Sequence, residues 1–223
     1  MKVGVVIPAY NVGEKIESVL LKVLRHIPNQ HICIVDDGST DSTARAVQCR
    51  HVHFIHHEKN NGKGEALKSG FQWMLSDGFD SVLTMDGDGQ HDGDSIPDFI
   101  STMEKTSADM VLGIRRFKIG EMPLDRICSN RLTSLFVSLI TKQWITDSQT
   151  GYRIIKSHVL RNIELNTSHY ETETELLIKA IRKGFSVSFC PITVDYSYRY
   201  SHIDRIEDTK RFCRLLVHLL KEK

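Results

Sequence analysis

The chain has 223 residues, 40% hydrophobic and 26% charged, an ordinary globular composition with room for one large α/β domain or two small ones. Its 29 Lys and Arg against 28 Asp and Glu leave a net charge of +1, so no basic excess argues for a nucleic-acid binder. No run approaches the ~18 apolar residues needed to cross a bilayer, and the N-terminal run lacks the length and cleavage region of a signal peptide.

The predicted elements alternate regularly through the first half. Residues 3–7 are a short apolar run, read as a strand stopped by Pro8. Ile16, Val19, Leu20, Val23, Leu24 and Ile27 then recur at the spacing of one helix face. A second strand at 31–35 ends on Asp36-Asp37-Gly38, with Ser39 or Asp41 placed to cap the next helix. A third strand at 52–55 precedes a helix at 64–75, and a fourth at 81–85 breaks at Asp86-Gly87-Asp88-Gly89. Pro97 suits the first turn of a further helix, before a fifth strand at 110–112.

Strands separated by helices imply βαβ units and a mostly parallel sheet, in which ligands bind beyond the carboxyl ends of the strands. Four segments fall there: Pro8-Ala9-Tyr10-Asn11, Asp36-Asp37-Gly38, Asp86-Gly87-Asp88 and Gly113-Ile114-Arg115. In the second half, Ile127, Leu132, Leu135, Phe136, Leu139 and Ile140 mark a helix at 124–140 that carries Arg126, Arg131 and Lys142. A strand at 151–155, a helix at 171–182, one or two strands at 185–194 around Pro191 and a last helix at 206–220 follow. With no repeat or linker, residues 1–223 are expected to form a single domain. Cys33, Cys49, Cys128, Cys190 and Cys213 are scattered without a C-x-x-C pair, which fits reduced thiols and a cytoplasmic compartment.

Asp86-Gly87-Asp88 carries the sharpest chemistry. Two carboxylates two residues apart can present oxygens to one point if Gly87 relaxes the backbone, and such ligands suit Mg²⁺ or Mn²⁺ beside a diphosphate. A solvated Asp-Gly turn is the plainer alternative. Gln90 adds an amide. Asp36 and Asp37 can accept hydrogen bonds from a ribose or a base, and are spare if Ser39, Thr40 or Asp41 does the capping. Asn60-Asn61-Gly62-Lys63-Gly64 places a lysine among glycines before a helix, a phosphate contact outside the P-loop pattern.

In order and spacing, Ile7-Pro8-Ala9-Tyr10-Asn11, Val35-Asp36-Asp37-Gly38-Ser39-Thr40-Asp41, Asn60 to Gly64 and Asp86-Gly87-Asp88-Gly89-Gln90 resemble family 2 of the inverting glycosyltransferases, which have the GT-A fold. Asp147-Ser148-Gln149-Thr150-Gly151-Tyr152-Arg153 extends the match, and the nearest branch resembles the polyprenol-phosphate mannose and glucose synthases without transmembrane helices. The resemblance implies an α/β fold with a mostly parallel central sheet, a nucleotide-sugar-binding half at 1–112 and an acceptor half at 113–223. It implies a GDP- or UDP-sugar donor bordered by Pro8, Ala9, Tyr10, Asn11, Asp36, Asp37, Gly38, Lys63 and Gly87, with Gln90 near the sugar or phosphate. Asp86 and Asp88 would hold Mg²⁺ or Mn²⁺, and Arg115 would face a phosphate. Asp147 falls where the wider family places a base; it is read here as a base, a positioning group or a loop cap. Val12 stands where the family often has Glu, which leaves that nucleotide contact in question.

Arg199 and His202 precede the last helix and are candidates to close over donor phosphates or complete a metal shell. The expected acceptor is a lipid phosphate at the inner face of the cell membrane. A soluble transferase acting on a sugar or protein hydroxyl and a non-catalytic nucleotide-sugar-binding module are the alternatives. Two amphipathic stripes, on the helices at 124–140 and 206–220, are candidates to touch that membrane or to pack on the core.

Overall fold

The computed structural model describes residues 1–48, 50–115, 124–195 and 205–221. Strand β1 (Val3–Ala9) leads into helix α1 (Ile16–Val23), β2 (Ile32–Asp36), α2 (Thr43–Gln48), β3 (His53–His56), α3 (Lys63–Ser76) and β4 (Ser81–Thr84). Helix α4 (Ile96–Thr106), β5 (Met110–Arg115) and α5 (Leu124–Thr141) follow, then β6 (Arg153–Lys156), α6 (Ser157–Asn162), α7 (Glu171–Arg182), β7 (Val187–Ile192) and α8 (Arg205–Lys221).

The seven strands form one sheet in the order β3-β2-β1-β4-β6-β5-β7. All neighbours are parallel except at β6, which runs antiparallel to both β4 and β5. The sheet is therefore mostly parallel, as the alternation predicts. The short α6 was not expected; six residues are too few to show a helical period.

Both prolines inside strands sit where a missing N–H costs no ladder bond. The expected stop at Pro8 does not occur: β1 pairs with β4 only over Val3–Val6, while Pro8 lies opposite Val35 of β2. Past Val6 the strand needs one neighbour, and proline is tolerated in such positions. Pro191 lies in the edge strand β7, which resolves the uncertain 185–194 stretch into one strand.

Helices cover both faces of the sheet. On one, Ile16, Val19, Leu20 and Val23 of α1 and Ile96, Phe99 and Met103 of α4 pack against Val5, Ile7, Ile34 and Leu83. On the other, α3, α6 and α7 pack Leu67, Phe71, Val159, Leu176 and Leu177 over Val6, Val35, Val82 and Ile155. Leu215 and Leu219 of α8 join that second core, so the C-terminal stripe packs inward. No helix of the described residues is long and apolar enough to cross a membrane.

Candidate active site

The loops after β1 and β2 are knitted together. Asp37 N–H donates to the Ala9 carbonyl at 2.8 Å, Asn11 N–H to Ser39 Oγ at 2.9 Å, and Thr40 N–H to Asn11 Oδ1 at 2.9 Å. Asn11 takes the left-handed φ of 52° that closes this turn, a conformation asparagine tolerates. Asp41 Oδ1 accepts from Thr43 N–H at 2.9 Å and starts α2, so Asp41 rather than Ser39 does the capping.

Asp36 and Asp37 are not spare. Both are buried, and a buried carboxylate needs partners. Asp36 accepts from Ser39 N–H at 3.0 Å and lies 3.0 Å from His56 Nδ1. Asp37 accepts from Asn61 N–H at 3.1 Å and Gly62 N–H at 2.8 Å, and lies 2.7 Å from His57 Nδ1. Asp37 thus holds the 57–62 loop, and hence the start of α3, against the end of β2, while Asp36 ties the Ser39 turn to the end of β3.

Lys63 opens α3 and reaches across to β4. Its ammonium lies 2.5 Å from Asp86 Oδ1 and 3.1 Å from Glu173 Oε2 of α7, while His91 Nε2 lies 3.5 Å from Asp86 Oδ2. Burial works against both charges, yet Lys63 and His91 hold the Asp86 carboxyl far below the usual range. Asp86 and Glu173 in turn outweigh burial and raise the Lys63 ammonium. Asp88 is pushed the other way: burial, then the Asp86 charge, raise its carboxyl, while Gln90 N–H donates to Asp88 Oδ1 at 2.9 Å. The turn's freedom lies at Gly89, with φ 81°, and not at Gly87, which packs against Ile16 and the Pro8 carbonyl. Two buried polar atoms here, His91 Nδ1 and Glu173 Oε1, have no hydrogen-bond partner among the described residues.

The 147–151 loop closes the site from the side of β5 and β6. Asp147 is buried and takes Arg115 as a fork, Nε to Oδ2 at 2.6 Å and Nη2 to Oδ1 at 2.8 Å. Arg153, at the start of β6, is buried and donates to the carbonyls of Thr150 at 2.7 Å, Ser148 at 2.8 Å and Glu173 at 2.5 Å. Thr84 Oγ1 donates to the Gly151 carbonyl at 2.8 Å. Gly151 leaves room for that ion pair: a Cβ there would stand 2.8 Å from Lys63 Nζ and 2.9 Å from Asp86 Oδ2, so one of the two side chains would have to shift.

Of the expected site residues, the fold gathers Pro8 to Asn11, Asp36 to Gly38 and Lys63, and with them Asp86 to Gln90, Arg115 and Asp147, around the carboxyl ends of β1, β2, β4 and β5. It adds His91 and Glu173, which the sequence does not single out, and Arg153, known from the sequence only as the end of the Asp147–Arg153 motif. His91 directly follows the Asp86–Gln90 motif and was findable; Glu173 sits in a Glu-Thr-Glu-Thr-Glu run that reads as a solvated helix start. Arg199 and His202 lie outside the described residues; the chain enters that segment beside the motif, with Asp195 N–H donating to the Gln90 carbonyl at 3.0 Å. Among the described residues no three His, Cys, Asp or Glu side chains converge as a ready metal site. Two acidic side chains with oxygen donors, one already balanced by a lysine, do fit a hard divalent cation that shares a diphosphate.

Residues 4–164 match the family model described as Glycosyl transferase family 2. The chain is 30% identical to the undecaprenyl-phosphate mannosyltransferase of Micrococcus luteus over 86% of its length and 83% of that protein's. It is 31% identical to a UDP-N-acetylglucosamine–dolichyl-phosphate N-acetylglucosaminyltransferase of Methanococcus voltae, over 86% of this chain and 85% of that one. Among solved structures, glucosyl-3-phosphoglycerate synthase from Mycobacterium tuberculosis, in complex with Mn²⁺ and UDP-glucose, superposes with a TM-score of 0.78. That likeness, at 19% identity over 98% of this chain and 78% of the other, is one of fold. Motifs at the strand ends, the GT-A arrangement they sit on and the family match agree: the chain is a glycosyltransferase and belongs to glycosyl transferase family 2.

Proposed function

We propose that the enzyme moves a hexose from a GDP- or UDP-sugar to a polyprenyl phosphate, with inversion at the anomeric carbon. The observation that carries this reading is the pair Asp86 and Asp88 just beyond β4, with the Lys63 ammonium on the first of them. The relatives above, whose names specify undecaprenyl-phosphate and dolichyl-phosphate, support the acceptor class.

Mg²⁺ or Mn²⁺ held by Asp86 and Asp88 would neutralise the diphosphate as it leaves. Lys63 supplies a second positive charge at that point, within reach of a donor phosphate once it releases Asp86. The loops at Pro8 to Asn11 and Asp36 to Gly38 form the nucleotide side, with Asp36 and Asp37 fixing loop shape. Arg115 meets the acceptor phosphate, and Asp147 holds its guanidinium in place. A lipid phosphate is ionised near pH 7 and attacks without a strong base, which agrees with an Asp147 already engaged by arginine. The bond from the anomeric carbon to the diphosphate breaks as the bond to the acceptor oxygen forms. Such an acceptor places the enzyme at the inner face of the cell membrane.

The test is transfer from labelled GDP-mannose, UDP-glucose and UDP-N-acetylglucosamine to a polyprenyl phosphate in detergent, with Mn²⁺, for wild type and Asp88→Ala. A labelled glycolipid from one donor, absent in Asp88→Ala, is expected. Transfer to water-soluble hydroxyls alone, or undiminished turnover in Asp88→Ala, would overturn the reading.

A further inference from the structure

Helix α5 is built inside out. Its buried side is unusually polar, with Thr133, Ser134 and Ser138 beside Ile127 and Val137. Its outer side is apolar: Leu132 is 55% exposed, Leu135 46%, Phe136 43% and Leu139 66%, and Trp144 just past the helix is 72% exposed. The four helical residues recur at i, i+3, i+4 and i+7, a single stripe. A helix that only had to cover its own core would carry this assignment reversed, as α8 does with Leu215 and Leu219. A contiguous exposed apolar stripe marks an interaction surface.

Charge indicates what covers it. From residue 126 to residue 146 the sequence contains no Asp or Glu. Arg131 is exposed next to Leu132 at the edge of the stripe, and Lys142 is exposed in the turn just past the helix, between Leu139 and Trp144. Leucines and a phenylalanine edged by cations, with a tryptophan at one end, are the chemistry of a helix lying in an anionic bilayer surface. The polar inner side leads to the active site. Ser134 Oγ accepts from Ser148 N–H at 3.0 Å, Ser138 Oγ accepts from Ile145 N–H at 2.9 Å, and Gln149 Nε2 donates to Thr133 Oγ1 at 3.3 Å. These bonds bracket Asp147.

We propose that α5 and Trp144 form a membrane-docking face: the stripe enters the acyl boundary, Arg131 and Lys142 meet anionic headgroups, and the buried serines hold the Asp147–Arg115 clamp to the docked helix. Its purpose rests on the lipid-phosphate acceptor proposed above, whereas the face itself stands on exposure and charge.

The experiment is flotation of the full chain with vesicles of phosphatidylglycerol and phosphatidylcholine, alongside thermal shift by nucleotide-sugar and Mn²⁺. Wild type is expected to float with the anionic vesicles. Leu135→Ser/Leu139→Ser lowers vesicle affinity at least tenfold, and Arg131→Gln/Lys142→Gln lowers it several-fold and flattens its salt dependence. Val217→Ser, at an exposed position of α8, leaves it unchanged. All three variants keep the wild-type donor shift, which shows that they fold. Wild type that fails to float, or leucine variants that float like wild type, would overturn the proposal. So would a dimer in sedimentation equilibrium that the leucine variant dissolves and vesicles do not compete away, because the face then belongs to a second copy. Floating protein that no donor stabilises would instead sink the proposed function and leave the docking face standing.

Discussion

Asp86 and Asp147 are both aspartates in loops at one end of the sheet, each beside a cation, yet their surroundings differ in kind. Asp86 meets a lysine, a point charge on a flexible stem that is shared with Glu173, and two buried polar atoms nearby lack partners among the described residues. Asp147 meets the planar fork of Arg115 through two bonds, with Gln149 N–H adding a third at 3.2 Å. The first arrangement is the one that, in the proposed function, exchanges its lysine for a metal ion. The second is closed and holds shape.

That contrast can be broken by substitution. Arg153→Met removes the cation that gathers three carbonyls of the 147–151 loop and α7, and is expected to cost roughly 3–5 kcal/mol in urea unfolding. A loss under ~1 kcal/mol would show that the loop does not depend on it. Asp147→Asn leaves Arg115 mostly buried beside a neutral partner and should cost about 3 kcal/mol while preserving stabilisation by donor and Mn²⁺. Asp86→Asn is the reverse case. Lys63 keeps Glu173, so stability falls by only about 1 kcal/mol, but the metal-dependent gain, ~2.7 kcal/mol at a hundredfold excess of ligand, disappears. Equal behaviour of the two variants would erase the distinction.

Two smaller effects sharpen it. Gly151→Ala pushes a methyl against Lys63 and Asp86 and should weaken donor binding about tenfold, near 1.4 kcal/mol, as read by calorimetry. Burial and Asp86 raise the Asp88 carboxyl, so protons compete with the metal at a higher pH than for an ordinary aspartate. Mn²⁺ affinity should therefore begin to fall, as pH is lowered, above the range in which an ordinary aspartate titrates, with Asp86 still ionised; a profile that falls only in the ordinary aspartate range would remove Asp88 from the metal's shell.

The loops after β1, β2 and β4 were readable because their residues cluster in short motifs directly after predicted strands, where parallel sheets bind ligands. Most boundaries there moved by one or two residues, and the strand expected to end before Pro8 runs to Ala9. The contacts made by β6 and α7 were harder. Glu173 lies 110 residues from the Lys63 it pairs with, a separation no local pattern reports. The antiparallel insertion of β6 rests on four residues and on a neighbour relation absent from the sequence. The stripes of α5 and α8 look alike in one dimension; only packing shows that Leu215 and Leu219 face a core while Leu135 and Leu139 do not.

The strand order also sets a timetable for synthesis. Strands β1 to β4 are contiguous in the sheet and can assemble as soon as residue 84 is free of the ribosome. Strand β5 follows, but both of its partners, β6 and β7, are made later, and β6 must pass between it and β4. Until residue 156 emerges, Met110, Val111 and Leu112, all buried in the finished enzyme, have no sheet to join. A nascent chain stalled in that interval displays two open strand edges, and it is there that chaperone capture or misassembly has its opportunity.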